Sequence, residues 1–240
     1  MNQLRVYEIR LKIYLMQNIA QEQSYTVFSE FLDTYLSKRT EFLKLHEENS
    51  FKMYCFDQPY PIEKDGIYKK ESVYTVRIRT VDTRLLQYLL DGLSNHYTTW
   101  IKGLTLNVKS ISKKMLAQIY SITPAVIKCE GSVEKGQGGY WKKCLTFEQY
   151  EKRLVENLVK KYNVVMCTKI DEGFSLYHQI ELTNNKPIAV PYKNIRLLGD
   201  KICIHAAENE LAQELLYLSI GVGICELNAR GMGFVNYRYL

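Results

Sequence analysis

Near its end the chain carries two Gly-x-Gly pairs, Gly221/Gly223 and Gly231/Gly233, on either side of a polar stretch that ends in Arg230. Glycine tolerates positive φ and lets a backbone come close to a ligand, so its amides can face an anion. An arginine at the same rim adds charge and bidentate donors. The segment from Ala206 to Leu218 reads as a helix and an apolar run follows Gly233, so the glycines belong to a loop between a helix and a last strand. A dinucleotide fingerprint has the opposite order, following a strand and opening a helix. A hairpin bulge or tight strand packing accounts for glycines alone equally well.

Histidine supplies proton transfer near neutral pH, and the chain has four: His46, His96, His178 and His205. His46 falls in a loop after the first predicted helix, where a lone histidine is by itself ordinarily solvated. His205 ends an alternating strand and reads as structural; His96 and His178 read as exposed loop residues. The cysteines (Cys55, Cys129, Cys144, Cys167, Cys203, Cys225) form no C-x-x-C pair and have no histidines at zinc spacing. Reduced thiols in a cytoplasmic protein are therefore expected.

The 240 residues are enough for one domain or two small ones. A hydrophobic content of 46% and a charged content of 24% are those of an ordinary globular chain. No apolar run approaches the roughly 18 residues that cross a bilayer. The net charge of +6 suits a polyanionic partner without requiring one.

These residues must be positioned by elements, and the periodicity gives the same order twice. Ile9, Leu11 and Ile13 alternate with Arg10 and Lys12 in a strand. Tyr25, Phe28, Leu32, Tyr35 and Leu36 form a helical stripe. Phe51–Phe56 and Tyr74–Ile78 read as strands, Leu85–Leu90 as a helix stopped by Gly92, and Leu104–Val108 as another strand. Arg77 and Arg79 lie on the polar face of theirs. After a linker at 110–114, strand 119–128 precedes a helix with capping-box spacing at Thr146 and Gln149. Strands follow at 164–170 and within 175–204, then the last helix, the glycine loop and a final strand. Two split βαβ units follow from this order: an α+β chain of two tandem ferredoxin-like domains, 1–114 and 115–240, with antiparallel sheets and helices on one face.

A tandem ferredoxin-like chain closing on a glycine-rich loop resembles the RAMP superfamily, and within it the CRISPR-associated endoribonucleases that process repeat RNA. Three segments carry the likeness: 45–56 around His46; 121–127 with 154–162; and Asn228–Val235. Seven residues separate the two glycine pairs, more than in the family's usual compact loop.

The resemblance implies metal-independent cleavage of CRISPR precursor transcripts within the repeat, leaving 2′,3′-cyclic phosphate and 5′-OH ends. It makes His46 the catalytic histidine, with Tyr35 orienting the ribose or assisting proton transfer and Lys52 holding the scissile phosphate. Arg230, Gly231 and Gly233 would bind RNA, while Gly221 and Gly223 either contact RNA or end the helix. Lys142 and Lys143 close a basic, aromatic loop with Lys135, Gly136, Gly138, Gly139, Tyr140 and Trp141, which fits RNA contact or a solvated hairpin. Repeat RNA is the expected partner, and a homodimer or association with an effector complex stays open. The alternatives are a non-cleaving RAMP subunit that grips RNA in such a complex, and a protein-interaction module whose glycines only shape a turn.

Overall fold

Alternation along the first strand sets the architecture, because Ile9, Leu11 and Ile13 must all point to one side of a sheet. In the computed structural model, residues 3–47, 50–129, 139–192 and 195–240 are described, without the side chains of 44–47. The first half runs β1 (Val6–Leu15), β2 (Ile19–Ala20), α1 (Ser24–Leu36), α2 (Thr40–Glu47), β3 (Tyr54–Phe56), β4 (Ile67–Tyr68), β5 (Val73–Thr80), α3 (Thr83–Gly92) and β6 (Ile101–Ile111). The second runs β7 (Leu116–Ser121), α4 (Phe147–Met166), β8 (Tyr177–Leu182), β9 (Ile188–Tyr192), β10 (Ile195–Gly199), β11 (Ile202–Ala206), α5 (Glu210–Val222) and β12 (Val235–Tyr239).

Two four-stranded antiparallel sheets result, ordered β3-β5-β1-β6 and β12-β7-β11-β8. In each, the first strand of the half sits between the third and fourth, which is the ferredoxin-like order, so the expected fold class holds. Ile9, Leu11, Ile13, Val76 and Ile78 are buried beneath Phe28, Phe31 and Leu32 of α1 and Leu85 and Leu89 of α3. Burial of each such side chain contributes about 1.5–3 kcal/mol. Thr146 and Gln149 form the expected capping box at the start of α4.

The halves are joined by α5 and by a buried ion pair. Gly221 lies inside α5 against Val6 and Val81 of the first half, where a Cβ would come within 2.7 Å of Val81. The Tyr217 hydroxyl donates to the Ile111 carbonyl at 2.7 Å and accepts from the Val6 amide at 3.1 Å. Arg79 is 2% exposed and pairs with Glu8 at 2.8 Å. Its guanidinium also donates to the Val235 carbonyl and to Asn236, and stacks 4.4 Å from the Phe234 ring. Arg77 pairs with Asp57 and also reaches Asn236 and Phe234. Neither arginine of β5 is simply an outward-facing residue, and Arg79 is part of the junction between halves.

Other expectations are corrected. Residues 164–166 end α4 instead of opening a strand, and 167–170 carry no regular element. The last helix lies four residues later than expected, at Glu210–Val222. His46 falls in α2, not in a loop. His96 is buried against Phe31 and Tyr35, with its ring nitrogens facing Thr34 and Lys38. Cys129 and Cys144 form a disulfide, so these two thiols are not reduced. Among the described residues, no helix is long and apolar enough to cross a membrane.

Candidate nucleic-acid interface

The loop after α5 is built around a buried lysine. Lys161 of α4 is 3% exposed, and its ammonium donates to the carbonyls of Gly223 (3.1 Å) and Cys225 (2.8 Å) and to Asn228 Oδ1 (2.7 Å). The Asn228 amide in turn donates to the carbonyls of Ile224 and Met232. A three-donor cation thus meets three acceptors, which fixes the two arms of the loop around one centre. Burial lowers the Lys161 pKa to about 8, partly opposed by Cys225, Cys55 and Glu226. The far arm is tied down where the Gly233 amide donates to the Pro124 carbonyl at 2.8 Å.

Within this frame the glycines are the inner turns. Gly233 has φ +64°, and a Cβ there would lie 2.1 Å from the Ile224 carbonyl oxygen. Gly223 and Gly231 also have positive φ, and all four glycines are buried. None of the four lines the adjoining cleft, so Gly231 and Gly233, expected at the RNA, are buried turns beside it. Of the two readings left open for the first pair, Gly223 takes the second, capping the end of α5. The residues that do are Cys225–Arg230, on the outer turn of the loop.

That cleft, about 610 Å³, lies where the halves meet. Its walls are Ser50–Tyr54 from the first half, Lys128, the α4 residues Asn157, Lys160 and Lys161, Val222, and the outer loop. Lys52, Lys128, Lys160, Lys161 and Arg230 make it strongly basic, against the single acid Glu226 among the described lining. Glu226 is held by Arg153 at 2.8 Å and by the Lys128 amide. Burial lowers the Lys52 pKa, and the Arg230 charge lowers it further while Asp33 opposes them. Arg230 pairs with Asp33 of α1 and lies 5.6 Å from the Tyr192 ring. One guanidinium nitrogen is spent on Asp33, which aims the fork while leaving donors for a ligand. Tyr54 Oη and Asn157 Oδ1, both on lining residues, are buried without a hydrogen-bond partner, an uncommon condition in a finished core.

Lys52 and Arg230, read from distant parts of the sequence, are thus brought together. His46 is in the last turn of α2, and its side chain lies outside the described residues. Ser50, four residues on, lines the cleft, and four residues span at most about 14 Å. Tyr35 is not brought there. It is 6% exposed, donates its hydroxyl to the Tyr88 carbonyl and stacks on the Tyr88 ring, so the apolar stripe, not the cleft, is its place. Lys142 and Lys143 are exposed but away from the cleft lining, while their neighbours Tyr140 and Trp141 turn inward onto the Asp200 carboxylate. Lys135, Gly136 and Gly138 of that loop lie outside the described residues.

Sequence reasoning missed Lys161, Asn228 and Lys128. A signal existed for the first: Leu154, Leu158 and Lys161 follow at i, i+4 and i+7, which puts a lysine on the apolar face of α4.

In sequence the chain matches no known family and no curated protein. In structure it has the fold of RAMP proteins: one described as binding different RNA substrates superposes with a TM-score of 0.69 at 17% identity, over 97% of this chain and 99% of that one. More particularly, the fold is that of Cas6. A CRISPR-associated protein Cas6 superposes with a TM-score of 0.67 at 19% identity, over 97% and 99% of the two chains. The product of a Cas6-related gene from Pyrococcus furiosus gives 0.64 at 18% identity, over 97% and 98%. The likeness read from the sequence segments therefore holds at the level of the fold, along nearly the whole chain.

Proposed function

We propose that the protein is an endoribonuclease that cuts CRISPR precursor transcripts within the repeat, without a metal ion. The observation that carries this is the basic cleft, which brings Lys52 and Arg230 together beside the segment that bears His46, in a Cas6-like fold. The RNA backbone crosses the cleft with the scissile phosphate near Lys52. The ribose 2′-OH attacks that phosphorus, the P–O2′ bond forms, and the P–O5′ bond breaks. The products are a 2′,3′-cyclic phosphate and a 5′-OH. The 2′-OH gives up its proton and the leaving O5′ takes one; His46 carries one of these two transfers and solvent water the other. Lys52 stabilises the charge that builds on the phosphorane oxygens. Arg230 holds a neighbouring phosphate, and Lys161 with Asn228 keeps the loop in the shape that presents it. The catalytic segment and the glycine loop belong to different domains, which we divide at residues 114/115, between β6 and β7.

The test is incubation with repeat RNA in chelator, followed by end-group analysis. Cutting with 2′,3′-cyclic phosphate ends is expected; loss of all cutting in chelator, or 3′-OH products, overturns the mechanism. Tight, salt-sensitive binding without any cutting would instead assign the chain to RNA gripping within a larger complex.

A further inference from the structure

On the second sheet, away from the cleft, three metal-ligating side chains of different types converge. Cys203 and His205 are two residues apart on β11 and so share a face, and Glu181 of β8 stands directly across from Cys203. His205 Nε2 is 3.3 Å from Glu181 Oε1 and 4.0 Å from Cys203 Sγ, and the three ligand atoms lie within 4.8 Å of one another. We propose that Glu181, Cys203 and His205 form a site for one thiophilic divalent cation, with zinc as its natural occupant.

The distances suit that ion. Tetrahedral zinc with bonds of about 2.0–2.3 Å sets its ligands about 3.3–3.6 Å apart. The His205–Glu181 spacing already meets this, while Cys203 Sγ, 4.0 Å from His205 Nε2 and within 4.8 Å of the Glu181 oxygen, has to close on both by rotation about χ1. The donor set selects the metal: a thiolate and an imidazole favour zinc over magnesium or calcium, which take oxygen ligands. Charge balances too, since a thiolate and a carboxylate neutralise the dication while the imidazole stays neutral.

Burial pushes the Cys203 thiol up, as does Glu181, while Arg238 opposes them. Metal binding works against that shift, and the thiol proton leaves to solvent only as the S–metal bond forms. Cys203 is 8% exposed, so the sulfur forms the floor, while Glu181 and His205 stand nearer solvent and leave a fourth position for water. β8 is an edge strand of its sheet, paired on one side only by β11. A metal bridging the two strands would clip that edge onto the sheet. None of the three residues lines the basic cleft, so the ion would stabilise the fold without entering RNA chemistry.

Titration of the full chain with Co2+ tests this, because tetrahedral cobalt gives visible d–d bands and a thiolate ligand adds a near-ultraviolet charge-transfer band. One equivalent should saturate both, and Zn2+ should then displace them. Cys203→Ser should abolish the charge-transfer band and His205→Gln should lower affinity at least tenfold. Cys167→Ser, which alters the exposed free thiol, should change nothing. Zinc should raise the melting temperature of the wild type but not of Cys203→Ser. Bands that persist in Cys203→Ser and His205→Gln, or the absence of a stoichiometric band in a wild type shown to be folded by circular dichroism, would overturn the assignment. RNA cutting should be the same with and without the metal, so the zinc site and the cleft are judged by separate readouts.

Discussion

At Lys161 the ammonium meets three acceptors, and the loop that carries Arg230 is shaped around it. Lys161→Met removes the donors and strands buried oxygens at roughly 1–3 kcal/mol each. A lowered melting temperature with weakened RNA binding is expected, and unchanged stability would show that the loop is held by other means. The residues that would touch RNA behave differently. Arg230→Ala should weaken binding and reduce the salt dependence by about one phosphate contact. His46→Ala should slow single-turnover cleavage by about 10²–10⁴-fold with affinity nearly unchanged. Of these residues, His46, Lys52 and Arg230 could be picked out from a family likeness, because acids, bases and cations announce their chemistry by type. Lys161 could not, since a framing lysine differs from a solvated one only in the face of α4 on which it lies. Tyr35 was misplaced for the converse reason: a tyrosine on an apolar stripe suits core and site alike, and packing against Tyr88 decided it.

At the scale of elements, the loop's strength lies in close approaches that only glycine permits. Gly233→Val would drive a side chain into the Ile224 carbonyl at a residue with φ +64°. A loss of more than about 2 kcal/mol is expected from strain of this kind. Weaker RNA binding in that variant should therefore track lost stability, whereas Arg230→Ala, which gives up the Asp33 ion pair but introduces no strain, should bind less tightly with a much smaller fall in melting temperature. Equal melting temperatures for the two variants would contradict this division of roles. Alternation and capping made β1, β5 and the start of α4 legible, because those signals are local. The end of α4 and the extent of α5 were not. Val164 and Val165 favour strands by propensity, yet the helix carries them on to Met166. Gly221 resembles a helix stop, yet it sits inside α5 because only a residue without a Cβ lets the helix approach Val6 and Val81.

For the whole molecule, the junction between halves contains charge that ought to respond to acid. Burial pushes the Glu8 carboxyl up, but Arg79, with Arg10 and Lys109, more than reverses this and its pKa falls to about 2. A carboxylate depressed in the folded state stabilises it above the unfolded pKa, and that contribution disappears as pH falls towards the folded value. Stability should therefore drop between about pH 4.5 and pH 2. Glu8→Gln should be less stable at neutral pH and show a flatter acid limb in thermal melts; an identical acid limb would remove Glu8 from the account. The tandem architecture was legible because element order survives errors at element ends. The junction was not, since Arg79 reads as an ordinary polar-face residue of its strand and its partner Glu8 lies far away in the sequence.

The cleft is formed only when both halves are in place, and its proposed chemistry is tested most directly by end groups. Repeat RNA incubated with saturating protein in excess chelator should yield 2′,3′-cyclic phosphate and 5′-OH termini, and His46→Ala should yield them far more slowly at equal RNA occupancy. Undiminished cleavage by His46→Ala, or 3′-OH products, or RNA left intact by the folded wild type, would contradict the account.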